Sequence, residues 1–264
     1  MTTRTIQQLF DLTGKTALIT GGSRGLGLQM AHALGEAGAK IMLSSRKAAD
    51  LEEAAAELQA AGIDARWIAA DCAKEAEIHR LANETLERMG DVDILVNNAG
   101  ASWGAAAEDH PVEAWDKVMN LNVRGYFLLA QQVAKHSMIP RKGGRIINIA
   151  SIAGLGGNPT AMKTIAYNTS KGAVINFTRA LAAEWGVYGI NVNAICPGFF
   201  KTKMASALIE SLGEDKMASH APLKRLGDEE DLKGLTLLYA SAAGKHITGQ
   251  WLAVDGGVSV VTGG

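Results

Sequence analysis

The feature that most restricts the fold is a regular alternation of short apolar runs with helix-patterned stretches. Lys15-Thr-Ala-Leu-Ile-Thr20 reads as a strand and 26–34 as a helix; 39–44 is a second strand, followed by an Ala/Glu/Leu-rich helix over 50–61. A third strand over 65–70, a helix over 74–89 and a fourth strand over 92–96 continue the series. A long helix over 111–134 then precedes strands at 144–150, 190–196 and 251–254. Strands alternating with helices of this length imply parallel βαβ units joined by right-handed crossovers. No linker, charge block or repeat interrupts the pattern, so residues 1–264 are expected to form one α/β domain.

The first strand runs into Thr20-Gly21-Gly22-Ser23-Arg24-Gly25-Leu26-Gly27 and then a helix. Glycines let a backbone approach phosphates, and a helix N-terminus offers unpaired N–H groups and the positive end of a dipole. Strand, glycine turn and helix together make a pyrophosphate site. In a doubly wound sheet the end of the second strand meets the adenosine ribose, where a carboxylate selects NAD and a cation accepts a 2′-phosphate. Here that end reads Ser44-Ser45-Arg46-Lys47, with no carboxylate before Asp50, and Arg24 adds a second cation. NADP(H) is therefore the preferred cofactor, with NAD(H) possible.

Chemistry is best placed at Tyr167-Asn168-Thr169-Ser170-Lys171. On a helix Tyr167 and Lys171 stand at i and i+4, with Cβ atoms roughly 5–6 Å apart. A phenol titrates near ~10, and a fixed ammonium beside it favours the phenolate, which makes Tyr167 a candidate general acid/base. Ser151 directly follows the fifth strand, and open α/β sheets bind ligands just beyond the carboxyl ends of their strands. Ser151 and the start of the Tyr167 helix are thus expected on the same, reactive side.

Hydrophobic residues make up 47% of the chain and charged residues 20%, with a net charge of −1, so nothing in the charge points to nucleic acid or an anionic membrane. No apolar run approaches the ~20 residues of a membrane span, and the N-terminus lacks a signal-peptide core, so a cytoplasmic location is expected. Cys72 and Cys196 are read as small buried hydrophobes, and the six histidines are scattered without metal-ligand spacing; no metal site is expected.

In order along the chain stand Thr20-Gly21-x-x-x-Gly25-x-Gly27, Asn97-Asn98-Ala99-Gly100, Asn122, Ser151, Tyr167-x-x-x-Lys171 and Pro197-Gly198-x-x-x-Thr202. With these motifs the sequence resembles the short-chain dehydrogenase/reductase family along essentially its whole length. The resemblance implies a seven-stranded parallel sheet of order 3-2-1-4-5-6-7 with helices on both faces, and a homotetramer. It also implies a catalytic tetrad: Tyr167 exchanges the proton, Ser151 hydrogen-bonds the substrate oxygen, Lys171 holds the nicotinamide ribose and lowers the tyrosine pKa, and Asn122 positions a water relay. The cofactor would be held by Gly21, Ser23, Arg24, Gly25, Leu26, Gly27, Ser45, Arg46, Asp71, Cys72, Asn98, Ala99, Gly100, Tyr167, Lys171, Pro197, Gly198 and Thr202. Asp71 would meet the adenine, Asn98 the adenosine side and Thr202 the nicotinamide carboxamide.

The wording of Gly154-Leu-Gly-Gly-Asn-Pro159, of 165–179 and of Cys196-Pro-Gly-Phe-Phe200 resembles the gluconate 5-dehydrogenase branch. That implies a small-molecule substrate of sugar-acid type, interconverted as ketone and secondary alcohol. A carboxylated substrate wants a cation, and Lys163, Lys201 and Lys203 are candidates. Trp103, Lys163, Phe199 and Met204 are the expected substrate contacts, with a lid around 199–222. A 3-oxoacyl-thioester reductase or general carbonyl reductase shares every motif, and apolar residues of the lid suit an acyl chain. A non-catalytic NADP-sensing regulator is the reading from a different class. Ser151 and Tyr167 lie 16 positions apart, longer than is usual for the family, and the extra length falls in 155–165.

Overall fold

The computed structural model describes residues 3–160, 162–202, 206, 209, 210 and 213–261. Its seven strands are β1 (Thr16–Thr20), β2 (Lys40–Ser45), β3 (Ala65–Ala69), β4 (Ile94–Asn97), β5 (Gly144–Ile149), β6 (Ile190–Pro197) and β7 (Trp251–Val254). They form one sheet of order β3-β2-β1-β4-β5-β6-β7, and every neighbouring pair is parallel. The expected sheet order is borne out. The helices are α1 (Ile6–Phe10), α2 (Gly25–Glu36), α3 (Ala48–Ala60), α4 (Glu75–Met89), α5 (Val112–Met119), α6 (Gly125–Val133), α7 (Ile139–Arg141), α8 (Ile165–Trp185), α9 (Glu214–Ser219) and α10 (Lys233–Ala240).

Every residue of β1 and of β4 is buried. Such strands read as continuous apolar runs because helices cover both faces of the sheet. Successive side chains go to opposite faces. Ala17 and Ile19 of β1 join Met30 and Leu34 of α2, Leu51 and Leu58 of α3 and Tyr239 of α10 on one side. Leu18 joins Ile78 and Leu81 of α4, Leu129 and Val133 of α6 and Leu181 of α8 on the other.

The single helix expected over 111–134 is instead α5, a π-helical turn at Asn120–Arg124 and α6, continued through a second π turn at Ala134–Met138 into α7. The first π turn reconciles two fixed contacts. Asn122 reaches Ala101, while Gly125 lies so close to the Cys72 carbonyl that a Cβ would come within 2.4 Å of it. Widened turns of this kind recur at functional sites.

A buried polar chain crosses the layers beneath the carboxyl ends of the strands. Asn97 Nδ2 donates to Asn148 Oδ1 at 2.9 Å, Asn148 Nδ2 donates to Thr178 Oγ1 at 3.0 Å, and Thr178 Oγ1 donates to the Val174 carbonyl at 2.8 Å. It ties β4 and β5 to α8. Buried polar groups satisfied in this way fix one arrangement of the elements they join.

Candidate active site

At the carboxyl ends of the strands, the turn after β1 is held from below by Thr20 and Asn98. Thr20 Oγ1 accepts the backbone N–H groups of Asn98 (3.0 Å) and Ala99 (3.1 Å). Asn98 Nδ2 donates to the carbonyls of Thr20 (2.9 Å) and Gly21 (3.0 Å). The side chain expected on the adenosine side thus locks the glycine turn. A Cβ at Gly27 would lie 2.2 Å from the Gly21 carbonyl oxygen, and one at Gly21 would lie 2.7 Å from Asn98 Nδ2. Only glycine permits that packing, and it opens α2 with its first N–H groups facing the cleft.

Around that turn the structure gathers most of the expected cofactor residues. Gly22 N–H donates to the Ser44 carbonyl, joining the turn to the end of β2. There Ser44 Oγ and Ser45 Oγ, on opposite faces of β2, are buried without a hydrogen-bond partner. Arg46 is exposed and makes no ion pair among the described residues; Arg24 meets Asp50 at 3.3 Å. Asp71 accepts the Ala73 N–H at the end of β3, but the Cys72 thiol lies in the core, where burial pushes its pKa up to about 12. Ser23 and Leu26 flank the glycine turn, both partly buried. Across the cleft, a Cβ at Gly25 would sit 3.4 Å from the Thr202 methyl group. The segment Pro197-Gly198 is anchored by Gly198 N–H on the Val254 carbonyl at 2.9 Å.

The reactive side chains converge from three elements. Ser151, buried directly after β5, accepts the Ala153 N–H at 3.1 Å and so starts a short 3₁₀ turn over Ile152–Gly154. Its hydroxyl also draws the Tyr167 phenol pKa downward. Tyr167 and Lys171 share one face of α8, and the Lys171 ammonium lies 5.6 Å from the Tyr167 ring centre and 5.5 Å from that of Tyr126. Lys171 Nζ donates to the Ile149 carbonyl at 2.7 Å, an oxygen that also accepts from Tyr126 Oη at 3.3 Å. The turn after β4 closes this group: a Cβ at Gly100 would fall 3.5 Å from Asn122 Oδ1 and 3.7 Å from Lys171 Nζ.

Asn122 is fully buried, and its amide is spent on the protein. It accepts the Ala101 N–H (2.8 Å) and donates to the Ala101 carbonyl and to Ser170 Oγ (2.9 Å each). Ser170 Oγ in turn donates to the Tyr167 carbonyl at 2.7 Å. The side chain of Asn122 therefore acts on Tyr167 through Ser170, with one acceptor position of Oδ1 left over.

The expectation that Lys171 lowers the Tyr167 pKa is not met in the protein alone. Burial raises the Tyr167 phenol above its usual value; the Ser151 hydrogen bond opposes this and the Cys196 thiol adds to it. Burial likewise drives the Lys171 ammonium down to about 8, with Cys196 opposing. Lys171 aims at a backbone carbonyl rather than at the phenol, so desolvation decides both values. Tyr126 went unremarked in the sequence, Ser170 was given no role there, and Cys196 was read only as a buried hydrophobe. The position of Tyr126 four residues beyond Asn122 is the one weak signal.

The substrate-side residues form an open wall. Trp103 is exposed, with Lys117 Nζ 5.6 Å from its ring centre. The Lys163 side chain is exposed and its carbonyl accepts the Ala105 N–H at 2.9 Å. Phe199 is half-buried, and Lys201 is paired with Glu214 at 2.6 Å. Met204 and Lys203 lie outside the described residues, as does part of the expected lid. Among the described residues, no helix is long and apolar enough to cross a membrane, and no cluster of three or more His, Cys, Asp or Glu could hold a metal.

Residues 15–213 match the short chain dehydrogenase family. The chain belongs to that family, and is by class an oxidoreductase acting on alcohols and ketones. It is 39% identical to the gluconate 5-dehydrogenase of Gluconobacter oxydans, covering 96% of this chain and 97% of that one. It is 40% identical to a rhamnolipid-biosynthesis 3-oxoacyl-[acyl-carrier-protein] reductase of Pseudomonas aeruginosa, covering 94% and 97%. Among solved structures, a gluconate 5-dehydrogenase from Burkholderia cenocepacia in complex with NADP and tartrate superposes with a TM-score of 0.91 at 36% identity, covering 97% of this chain and 99% of that one.

Proposed function

We propose that this protein transfers a hydride between NADP(H) and the ketone or secondary alcohol of a sugar acid of the gluconate/5-ketogluconate type. The observation that carries the reading is the convergence of Ser151 and Lys171 on Tyr167 at the carboxyl ends of the strands, facing the glycine turn. Arg46, exposed and unpaired among the described residues at the end of β2, with Ser45 beside it, suits a 2′-phosphate, so the residues present fit NADP(H). Gly21, Ser23, Gly25 and Gly27 would hold its pyrophosphate, and Thr202 its nicotinamide end.

The bound cofactor supplies the hydride. As charge grows on the carbonyl oxygen, Tyr167 delivers its phenolic proton and Ser151 donates a hydrogen bond. In the oxidising direction Tyr167 takes the proton back. Lys171 keeps a positive charge behind the phenol and turns its remaining N–H donors toward the ribose. Asn122 and Ser170 hold the Tyr167 backbone.

A 3-oxoacyl-thioester reductase is the second reading, favoured by the Pseudomonas aeruginosa relative. NADPH consumption with 5-ketogluconate beside an acetoacetyl thioester separates the two. The sugar acid is expected to have the higher kcat/KM; preference for the thioester by several powers of ten would overturn the substrate assignment, and no turnover of any ketone would favour an NADP-sensing role. A homotetramer is part of the proposal. Edge strand β7 exposes Trp251 and Leu252, apolar surface that a second copy would cover; light scattering reads the mass directly.

A further inference from the structure

Asn168 follows Tyr167 in the first turn of α8. Every polar valence of its amide goes to the segment that precedes the helix. Oδ1 accepts from Asn158 Nδ2 at 3.2 Å and from Thr164 Oγ1 at 2.9 Å. Nδ2 donates to the carbonyls of Ala153 at 2.9 Å and Gly156 at 3.2 Å. Asn158 Nδ2 also donates to Thr164 Oγ1 at 2.9 Å, closing a triangle of side chains. An amide offers two acceptor positions and two donors, and this one fills all four with partners spread from 153 to 164.

That segment has little else to hold it. None of its described residues from 152 to 165 is fully buried, Leu155 alone among them packs against a buried apolar cluster, and Gly156 and Gly157 follow it, so beyond Leu155 apolar packing does little to choose the conformation. The 3₁₀ turn at its start is fixed independently: Gly154 packs against the Lys171 and Gly172 backbone so tightly that a Cβ would come within 2.5 Å. Its far end is joined to the loop bearing Trp103 by the Ala105 N–H on the Lys163 carbonyl. The part that depends on Asn168 is therefore 156–160 and 162–164, which leads directly into the turn of α8 that bears Tyr167.

We propose that Asn168 is a specificity-determining residue that acts by positioning: it holds 156–164 as a preformed wall that grips the portion of the substrate remote from the reacting carbon. The inference rests on the hydride-transfer reading above and adds to it which residue sets substrate choice. The recognised chemistry is a polyhydroxylated chain ending in a carboxylate, since the wall offers the Asn158 Oδ1 acceptor, whose amide nitrogen is already spent within the triangle, and the exposed Lys163 ammonium. Neither aspartate, which cannot donate, nor leucine, which can do neither, would reproduce the fourfold contact.

The test compares two ketones in wild type, Asn168→Ala and Asn158→Ala: 5-ketogluconate, which has a remote polyol and carboxylate, and 2-butanone, which has neither. Asn168→Ala should raise KM for 5-ketogluconate about tenfold or more with kcat within about threefold, and leave the constants for 2-butanone and the NADPH Kd nearly unchanged. Asn158→Ala, which leaves α8 untouched, should move the same KM in the same direction by a smaller factor. Amide hydrogen exchange should quicken in 156–164 in both variants and stay at the wild-type rate in α8. Equal losses in kcat for both ketones, or no change in either, would overturn the assignment of Asn168 alone. A wild type inactive on both ketones would overturn the hydride-transfer reading, and the inference with it.

Discussion

Replacing Lys171 by methionine tests the physical description of the site where it is most exposed to error. The Lys171 ammonium is buried, with one backbone carbonyl accepting from it at 2.7 Å and aromatic rings around it, and burial brings its pKa from 10.5 to about 8. Between pH 8 and 10.5 the unfolded chain therefore binds more protons at this side chain than the folded one. Stability from this group rises with pH across that window and is lowest below 8. The penalty for holding the charged form is roughly 3 kcal/mol at pH 7 and about 1 kcal/mol at pH 10. Methionine removes it, at a loss of about 1 kcal/mol for the hydrogen bond to the Ile149 carbonyl, which keeps Tyr126 as a donor. Lys171→Met should thus be about 2 kcal/mol more stable than wild type at pH 7 and nearly equal to it by pH 10. Urea midpoints at the two pH values and matched protein concentration measure the difference. A variant several kcal/mol less stable at pH 7, or a gap independent of pH, would refute the desolvated ammonium.

Tyr167 makes a companion prediction, because burial raises its phenol in the protein alone. The wild-type-minus-Tyr167→Phe ultraviolet difference spectrum should show no tyrosinate at pH 8 without cofactor; a tyrosinate band there would contradict the direction of the shift. Arg46→Ala should raise the NADPH Kd about tenfold or more while leaving the NADH Kd within about twofold, as fluorescence titration reads it. Equal weakening would place the 2′-phosphate elsewhere. Burial also raises the thiol pKa values of Cys72 and Cys196, to about 12 and about 11. Both should react with a thiol reagent at pH 8 only after denaturation; a rapidly labelled native thiol would show one of them to be accessible.

Much of the scaffold was legible because buried parallel strands leave continuous apolar runs, and because a glycine turn between strand and helix has few other uses. Sheet order, the glycine turn and the placing of Ser151 at a strand end follow from those patterns together with the family resemblance. The rest depends on contacts far apart in sequence. Nothing local announces the π turn at Asn120–Arg124, which answers to Ala101 on one side and Cys72 on the other. The i, i+4 spacing brought Lys171 beside Tyr167 as expected, yet it could not reveal that Nζ turns to the Ile149 carbonyl or that burial outweighs the charge. Asn98 and Asn122 read as ligand-facing groups, whereas their amide nitrogens are spent bracing Thr20 and Gly21 and holding Ala101 and Ser170. The length of the segment before Tyr167 was visible; that Asn168 fastens it was not.

The central claim is that Tyr167 handles the proton of a hydride transfer, and Tyr167→Phe tests it most directly because only one hydroxyl is removed. NADPH titration followed by single-turnover oxidation of the bound NADPH with excess 5-ketogluconate separates binding from chemistry. The account predicts an unchanged NADPH Kd and a rate at least about a hundredfold below wild type. A variant that binds NADPH and oxidises it at the wild-type rate would contradict the account.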